Sequence, residues 1–210
     1  MEHLKKSYAL KGETLIKQLK KRGMEGYYCE DKKSALEKII SLIEPKSSVS
    51  WGGSQTLNEL GIKEHFISGD YKVIDRDPCK GSERTLKMRE AFFADYYLTS
   101  SNAVSLDGML VNIDGSGNRV AAISFGPSHV IVVVGINKLV KTVHEAIDRI
   151  RNFASPPNCI RIGYPTPCSQ SGICMDCLGQ NSICGQILVT RNARPEGRIK
   201  VILVGESLGY

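Results

Sequence analysis

The chain has no long apolar run. Its longest, Val130-Ile131-Val132-Val133-Val134, is far too short to span a bilayer. It has one tryptophan and only four histidines, His3, His65, His129 and His144, none in an HExxH or His-Cys arrangement. No Ser-His-Asp set is legible either, so the common hydrolytic triads are excluded. The P-loop and the dinucleotide fingerprint are both absent, because the required Lys or third Gly is missing beside the one glycine pair, Gly52-Gly53. Residues 1–13 mix Lys and Glu with no apolar core, so no secretory signal is read there and a cytoplasmic location is expected.

What is present is ordinary in bulk and uneven in detail. With 210 residues, 41% hydrophobic and 24% charged, the composition predicts one globular domain over 1–210. The formal charge is +6, and its location matters more than its size. Residues 1–22 hold seven Lys or Arg against Glu2 and Glu13, which is 7 − 2 = +5. A basic leading helix with a solvated face is the reading. No basic-plus-aromatic weave accompanies it, so nucleic-acid binding is rejected.

Four of the seven cysteines fall close together: Cys168, Cys174, Cys177 and Cys184, separated by five, two and six residues. Pro165, Pro167, Gly172, Gly179 and Gly185 supply turns, so the loop over 165–185 can wrap four thiolates around one centre. Zinc and a [4Fe–4S] cluster both suit thiolate-only ligation, and spacing does not decide between them. Two disulfides are the remaining alternative. Cys29, Cys79 and Cys159 are isolated in sequence, where a small buried hydrophobe is the default.

Helical and extended patterns alternate. Leu4, Tyr8, Leu15, Ile16 and Leu19 recur at helical spacing, with Gly12 weakening the middle. Asp31 stands where an N-cap should, ahead of Ala35, Leu36, Ile39, Ile40 and Ile43. Strands are expected over 26–30, 47–51, 71–75 and 95–99, and His129–Val134 as a strand buried on both faces. Segments 109–113 and 119–123 flank Asp114-Gly115-Ser116-Gly117-Asn118, which predicts a hairpin. Val140, Val143, Ile147, Ile150 and Ala154 predict a last good helix ended by Pro156-Pro157. Two more strands, 186–190 and 200–204, follow the cysteine loop. The sum is an α/β three-layer sandwich with a mixed, mostly parallel sheet.

The strand–Gly52-Gly53-Ser54-Gln55-Thr56–helix turn is the best small-molecule candidate. A glycine pair at a strand end admits a ligand to the backbone, and a helix start presents N–H groups to an anion. Ser54 and Thr56 offer hydroxyls, although Ser54 is equally a plain N-cap. Asn102, Asp107 and Arg119 join the candidates. Turn chemistry explains Asp107-Gly108, and Arg119 either clamps an anionic ligand or pairs with Asp114.

Ser50-Trp51-Gly52-Gly53-Ser54-Gln55-Thr56-Leu57, Asn102-Ala103-Val104-Ser105-Leu106-Asp107-Gly108, Gly117-Asn118-Arg119-Val120 and Val133-Val134-Gly135-Ile136-Asn137-Lys138 together resemble the LUD (lactate-utilisation) domain family over nearly the full length. Thr166-Pro167-Cys168 and the later cysteines resemble a C-terminal feature of one subgroup. The resemblance implies the α/β group that includes formyltetrahydrofolate cyclo-ligase, ribose-phosphate isomerase and CoA-transferases, with ligand at the glycine-rich turn. It also implies service with iron–sulfur partner proteins in oxidising L-lactate to pyruvate. The chain carries no flavin-binding motif and lacks the tandem ferredoxin-type cysteine runs of the family's electron carrier, so direct electron transfer is not expected of it.

A subunit or accessory component acting on L-lactate or a related organic acid is therefore the leading expectation. Its expected partners are a small organic anion, iron–sulfur proteins and further copies of the chain. The alternatives are a stand-alone cyclo-ligase-, isomerase- or CoA-transferase-like enzyme on a phosphorylated or CoA-linked substrate, and a non-catalytic metal-stabilised interaction module.

Overall fold

The computed structural model describes residues 2–210. Helix α1 (Glu2–Lys21) buries only Gly12, Leu15 and Leu19 and leaves its lysines in solvent, Lys5 meeting Glu30 at 2.7 Å. It packs on β1 (Glu25–Cys29), and Gly12 is what permits the approach. A Cβ there would stand 2.6 Å from Cδ2 of Tyr28, so the residue that weakens the helix locally is required by its packing. α2 (Lys32–Ser41) opens on a capping box: the Asp31 carboxylate accepts from Ser34 N at 2.8 Å, and the Ser34 hydroxyl accepts from Asp31 N.

The chain continues through β2 (Ser48–Trp51), α3 (Gln55–Glu59), α4 (Ile62–Ser68), β3 (Lys72–Ile74), α5 (Gly81–Glu90), β4 (Tyr96–Thr99), β5 (Ala103–Ser105) and β6 (Leu110–Asp114). Then follow α6 (Asn118–Ser124), β7 (His129–Gly135), β8 (Leu139–Val140), α7 (Val143–Arg149), α8 (Ser155–Ile162), α9 (Pro167–Ser171), β9 (Gln186–Thr190) and β10 (Ile199–Val204). Six strands form one sheet in the order β1-β10-β7-β4-β2-β3, every neighbouring pair parallel. Alternation along β7 divides the interior. Val130, Val132 and Val134 enter one core with α1, α6 and the second sheet. Ile131 and Val133 enter the other, beneath α2, α3 and α4. Each such side chain contributes roughly 1.5–3 kcal/mol on burial. The layers are therefore helix, parallel sheet and a further α/β layer, the three-layer α/β architecture expected.

Three local expectations are corrected. Residues 119–123 are not the second strand of a hairpin but most of α6. Gly117, at φ 83°, starts that helix as its N-cap instead of turning a hairpin, and the apolar Val120, Ala122 and Ile123 are buried. The partner that β6 lacks on that account is supplied by β9, antiparallel, so antiparallel pairing is confined to a separate four-stranded sheet, β8-β5-β6-β9. Pro156 and Pro157 do not end the helix they follow. A π-helical stretch at Ile150–Ala154 resets the hydrogen bonding, and the prolines then occupy the first turn of α8, where no intrahelical N–H is needed. Among the described residues no helix is long and apolar enough to cross a membrane.

Candidate functional site

The parallel sheet gathers the carboxyl ends of β2, β4 and β7 on one side, where open α/β sheets place their ligands. The loops leaving those ends form a cleft of about 230 Å³. Gly53, Ser54 and Thr56 follow β2, Ser100, Ser101 and Asn102 follow β4, and Lys138 follows β7. The far wall comes from α8 and its neighbours, through Ser155, Asn158 and Arg161, and Tyr210 closes one end.

Of the residues singled out from sequence, Gly53, Ser54, Thr56, Asn102 and Arg119 line this one cleft. Gly52 lies just behind it. Its N–H donates to Leu98 O at 3.1 Å, and a Cβ would meet Tyr97 Oη at 3.0 Å and Arg119 Cδ at 3.4 Å. Asp107 is elsewhere, in the β5–β6 turn, where it pairs with Arg22 at 2.9 Å and accepts a short hydrogen bond from Ser105 Oγ. Ser54 is a working N-cap, its Oγ accepting from Leu57 N at 3.3 Å.

Arg119 is held by the protein itself. Nη2 donates to Asn102 Oδ1 at 2.8 Å and Ile113 O at 2.7 Å, and Nη1 to Asn112 Oδ1 at 3.2 Å and Ser100 O at 3.3 Å. Its Nε stands 3.5 Å from Asp114 Oδ1. The planar fork thus ties the loop after β4 to the end of β6, and Asn102 is the hinge of that tie, also accepting from Ile113 N.

Two further cations, not among the residues singled out from sequence, line the cleft. Arg76, after β3, lies against Gly53 and is only 14% exposed, yet its Nε has no hydrogen-bond partner. The nearest carboxylate, Asp77, is 3.8 Å away and is bound to Lys63 at 2.7 Å. Burial alone would raise the Asp77 carboxyl, but Lys63, Arg76 and Arg84 together hold it below its ordinary value. Lys138, 4% exposed, donates to Thr56 Oγ1 at 2.8 Å and Ser100 Oγ at 2.9 Å and makes no ion pair. Burial, then the charges of Arg149 and Arg119, bring its amine down to about 7. The sequence signal for Lys138 is a lysine three residues beyond a buried apolar strand. Arg76 had none, because only the β2–β3 pairing brings it to Gly53.

The cleft therefore carries Arg76, Arg119, Lys138 and Arg161 against one carboxylate, Asp114. Tyr97, pushed up to about 12 by burial, stays a neutral phenol beneath it. The chemistry offered is anion binding beside an amine of near-neutral basicity.

All seven cysteines are free thiols. Cys168, on α9, lies 3.7 Å from Cys159 on α8, a residue with no neighbouring cysteine in sequence. That is the spacing of two sulfurs on one tetrahedral ion with metal–sulfur bonds of about 2.3 Å. Cys184 Sγ is 3.4 Å from Ser155 Oγ, at the cleft wall, and its thiol is raised mainly by burial. Cys174 and Cys177 lie on the irregular loop after α9, whose Ile173, Met175 and Leu178 are exposed. Among the described residues no three His, Cys, Asp or Glu side chains converge on a common point for an ion.

A sequence model of the family described as LUD domain matches residues 12–204. A crystal structure of a DUF162 family protein from Deinococcus radiodurans is similar in fold, with a TM-score of 0.54, 16% identity, and coverage of 94% of this chain and 98% of that one. Ribose 5-phosphate isomerase A from Methanocaldococcus jannaschii aligns at a TM-score of 0.39 and 18% identity, over 78% of this chain and 80% of that one. No curated protein matches the chain.

Proposed function

The chain belongs to the LUD domain family, and from that premise we propose that it binds a small organic anion in the Gly53 cleft as a component of L-lactate or related organic-acid oxidation. One observation carries the reading: Arg76, its Nη2 lying against Gly53, faces a cleft whose cations outnumber its single carboxylate. A carboxylate entering there meets a guanidinium with a donor to spare and an amine held by hydroxyls alone. With neither a flavin motif nor tandem ferredoxin-type runs in the sequence, the electrons are assigned to iron–sulfur partner proteins.

A zinc ion or [4Fe–4S] cluster at Cys168, Cys174, Cys177 and Cys184 belongs to the same proposal. Its support is the sequence spacing, and it requires the loop at 173–183 to fold inward so that its two thiols reach Cys168 and Cys184.

The second reading, a stand-alone enzyme on a phosphorylated or CoA-linked substrate, is favoured by the near-neutral amine of Lys138. Titration calorimetry with L-lactate, pyruvate, inorganic phosphate, ribose 5-phosphate and CoA separates the two. Binding of the carboxylates in preference to the phosphates supports the first reading, and the reverse order supports the second. In the cell, deleting the gene should impair growth on L-lactate and leave growth on glucose intact. Normal lactate growth in a strain with no second copy would overturn the pathway assignment.

A further inference from the structure

Lys138 is placed for more than charge. Thr56 Oγ1 donates its own proton to Leu208 O at 3.4 Å, and Ser100 Oγ donates its proton to Ser101 O at 3.2 Å. Each hydroxyl can therefore face Nζ only as an acceptor. The two N–H bonds of a neutral amine are consumed by these contacts, at 2.8 and 2.9 Å, and the lone pair takes a remaining tetrahedral direction. Gly209 covers the same nitrogen without a side chain. A Cβ there would stand 3.4 Å from Nζ and 2.7 Å from Thr56 Oγ1. Lys138 lines the cleft, with Gly209 as the residue lying over its amine, so a bound molecule comes to rest against this side chain.

We infer that Lys138 is the nucleophile of this cleft, condensing with the carbonyl of a bound 2-oxo acid to form an imine. The inference rests on the anion-cleft reading, with the ligand's carboxylate held by the cations around Gly53. The Nζ lone pair attacks the carbonyl carbon, and the carbon–oxygen π pair moves to oxygen, which takes up a proton. Nitrogen gives up one proton as the carbinolamine forms and its second as the hydroxyl, protonated again, departs, so the two hydrogens of the water are the two that the amine has lost and C=N remains. Amine and carbonyl give imine and water, so no oxidant or reductant takes part. Burial and the neighbouring guanidinium groups of Arg149 and Arg119 keep a large fraction of the amine unprotonated near neutral pH, as this chemistry needs. A 2-hydroxy acid such as lactate has no carbonyl and cannot react. The residue would thereby distinguish the oxidised acid from the reduced one.

The test is reductive trapping on the intact protein. Pyruvate with sodium cyanoborohydride should add one reduced pyruvate unit at Lys138, located by peptide mapping. L-lactate should add nothing, and the adduct should be lost in Lys138→Arg. If that variant fails to fold, mapping of the parent protein decides alone. Pyruvate binding by calorimetry without an adduct at Lys138 would overturn the inference and leave the anion cleft standing. An adduct spread evenly over surface lysines would also overturn it. No binding of pyruvate, lactate or phosphate would overturn the cleft reading and the inference with it.

Discussion

A Cβ built on Gly53 would stand 2.8 Å from Nη2 of Arg76. The atom it meets is the far end of a flexible side chain, so Gly53→Ala displaces the guanidinium and leaves the backbone in place. Carboxylate affinity is expected to fall about tenfold, the scale of one charge-assisted hydrogen bond, with the melting temperature unchanged within about 2 °C. Arg76→Gln should match it. Calorimetry beside thermal denaturation checks both, and full affinity in either variant would remove Arg76 from the site.

Arg119 should behave in the opposite way. Its guanidinium satisfies Asn102, Asn112 and two backbone carbonyls at once, so Arg119→Met leaves buried acceptors unpaired. A loss of roughly 3 kcal/mol in urea unfolding is expected. Arg119→Lys should recover little of it, because an ammonium cannot reproduce the planar fork. A loss below about 0.5 kcal/mol would show that the tie is not structural.

Lys138 makes stability depend on pH in a definite direction. Its folded value, about 7, lies below the ordinary 10.5, so between these limits the unfolded chain binds more protons. Its contribution is complete above 10.5 and lost as pH falls through about 7, where a charged amine is buried beside Arg149 and Arg119, with Glu59 the opposing charge. The melting temperature of Lys138→Met minus that of the parent should therefore decrease as pH rises from about 7 towards 10.5. A difference that is flat across this range would show an amine of ordinary basicity.

The cysteine segment is testable without knowing the reaction. Zinc(II) added to the reduced protein should raise the melting temperature by roughly 8 °C at saturating metal, and cobalt(II) should give a thiolate charge-transfer band. Cys174→Ser with Cys177→Ser should abolish the rise and leave metal-free stability unaltered, since both residues lie on the irregular loop outside the cores. An equal rise in the double variant would exclude these two as ligands. Anaerobic purification with iron and sulfide analysis addresses the cluster alternative.

Legibility from sequence followed the range of the forces involved. The N-cap at Asp31, the strand at 129–134 and the turn at Gly52-Gly53 are local patterns, and the structure contains them. Residues 119–123 misled because five residues with two β-branched ones satisfy either period, and the choice was made by burial of Ala122 and Ile123 in a core assembled from distant segments. The cleft was half visible. Gly53, Ser54, Thr56, Asn102 and Arg119 carried motif signals, whereas Arg76 arrives through strand pairing and Cys159 meets Cys168 through helix packing. Asp107 looked functional because turn and ligand chemistry favour the same side chains.

The position of β10 bears on how the molecule is made. It lies between β1 and β7, so the central sheet cannot close until residues 199–204 have left the ribosome. At ordinary elongation rates roughly ten to thirty seconds separate the synthesis of β1 from that of its partner. Throughout that interval β1 lacks its sheet neighbour, as does one flank of β7 once it has been made, and the nascent chain exposes strand edges open to pairing. A premature stop at or before residue 199 removes the middle of the sheet. The expected product is an aggregate or a protease substrate, not a shortened protein with reduced activity.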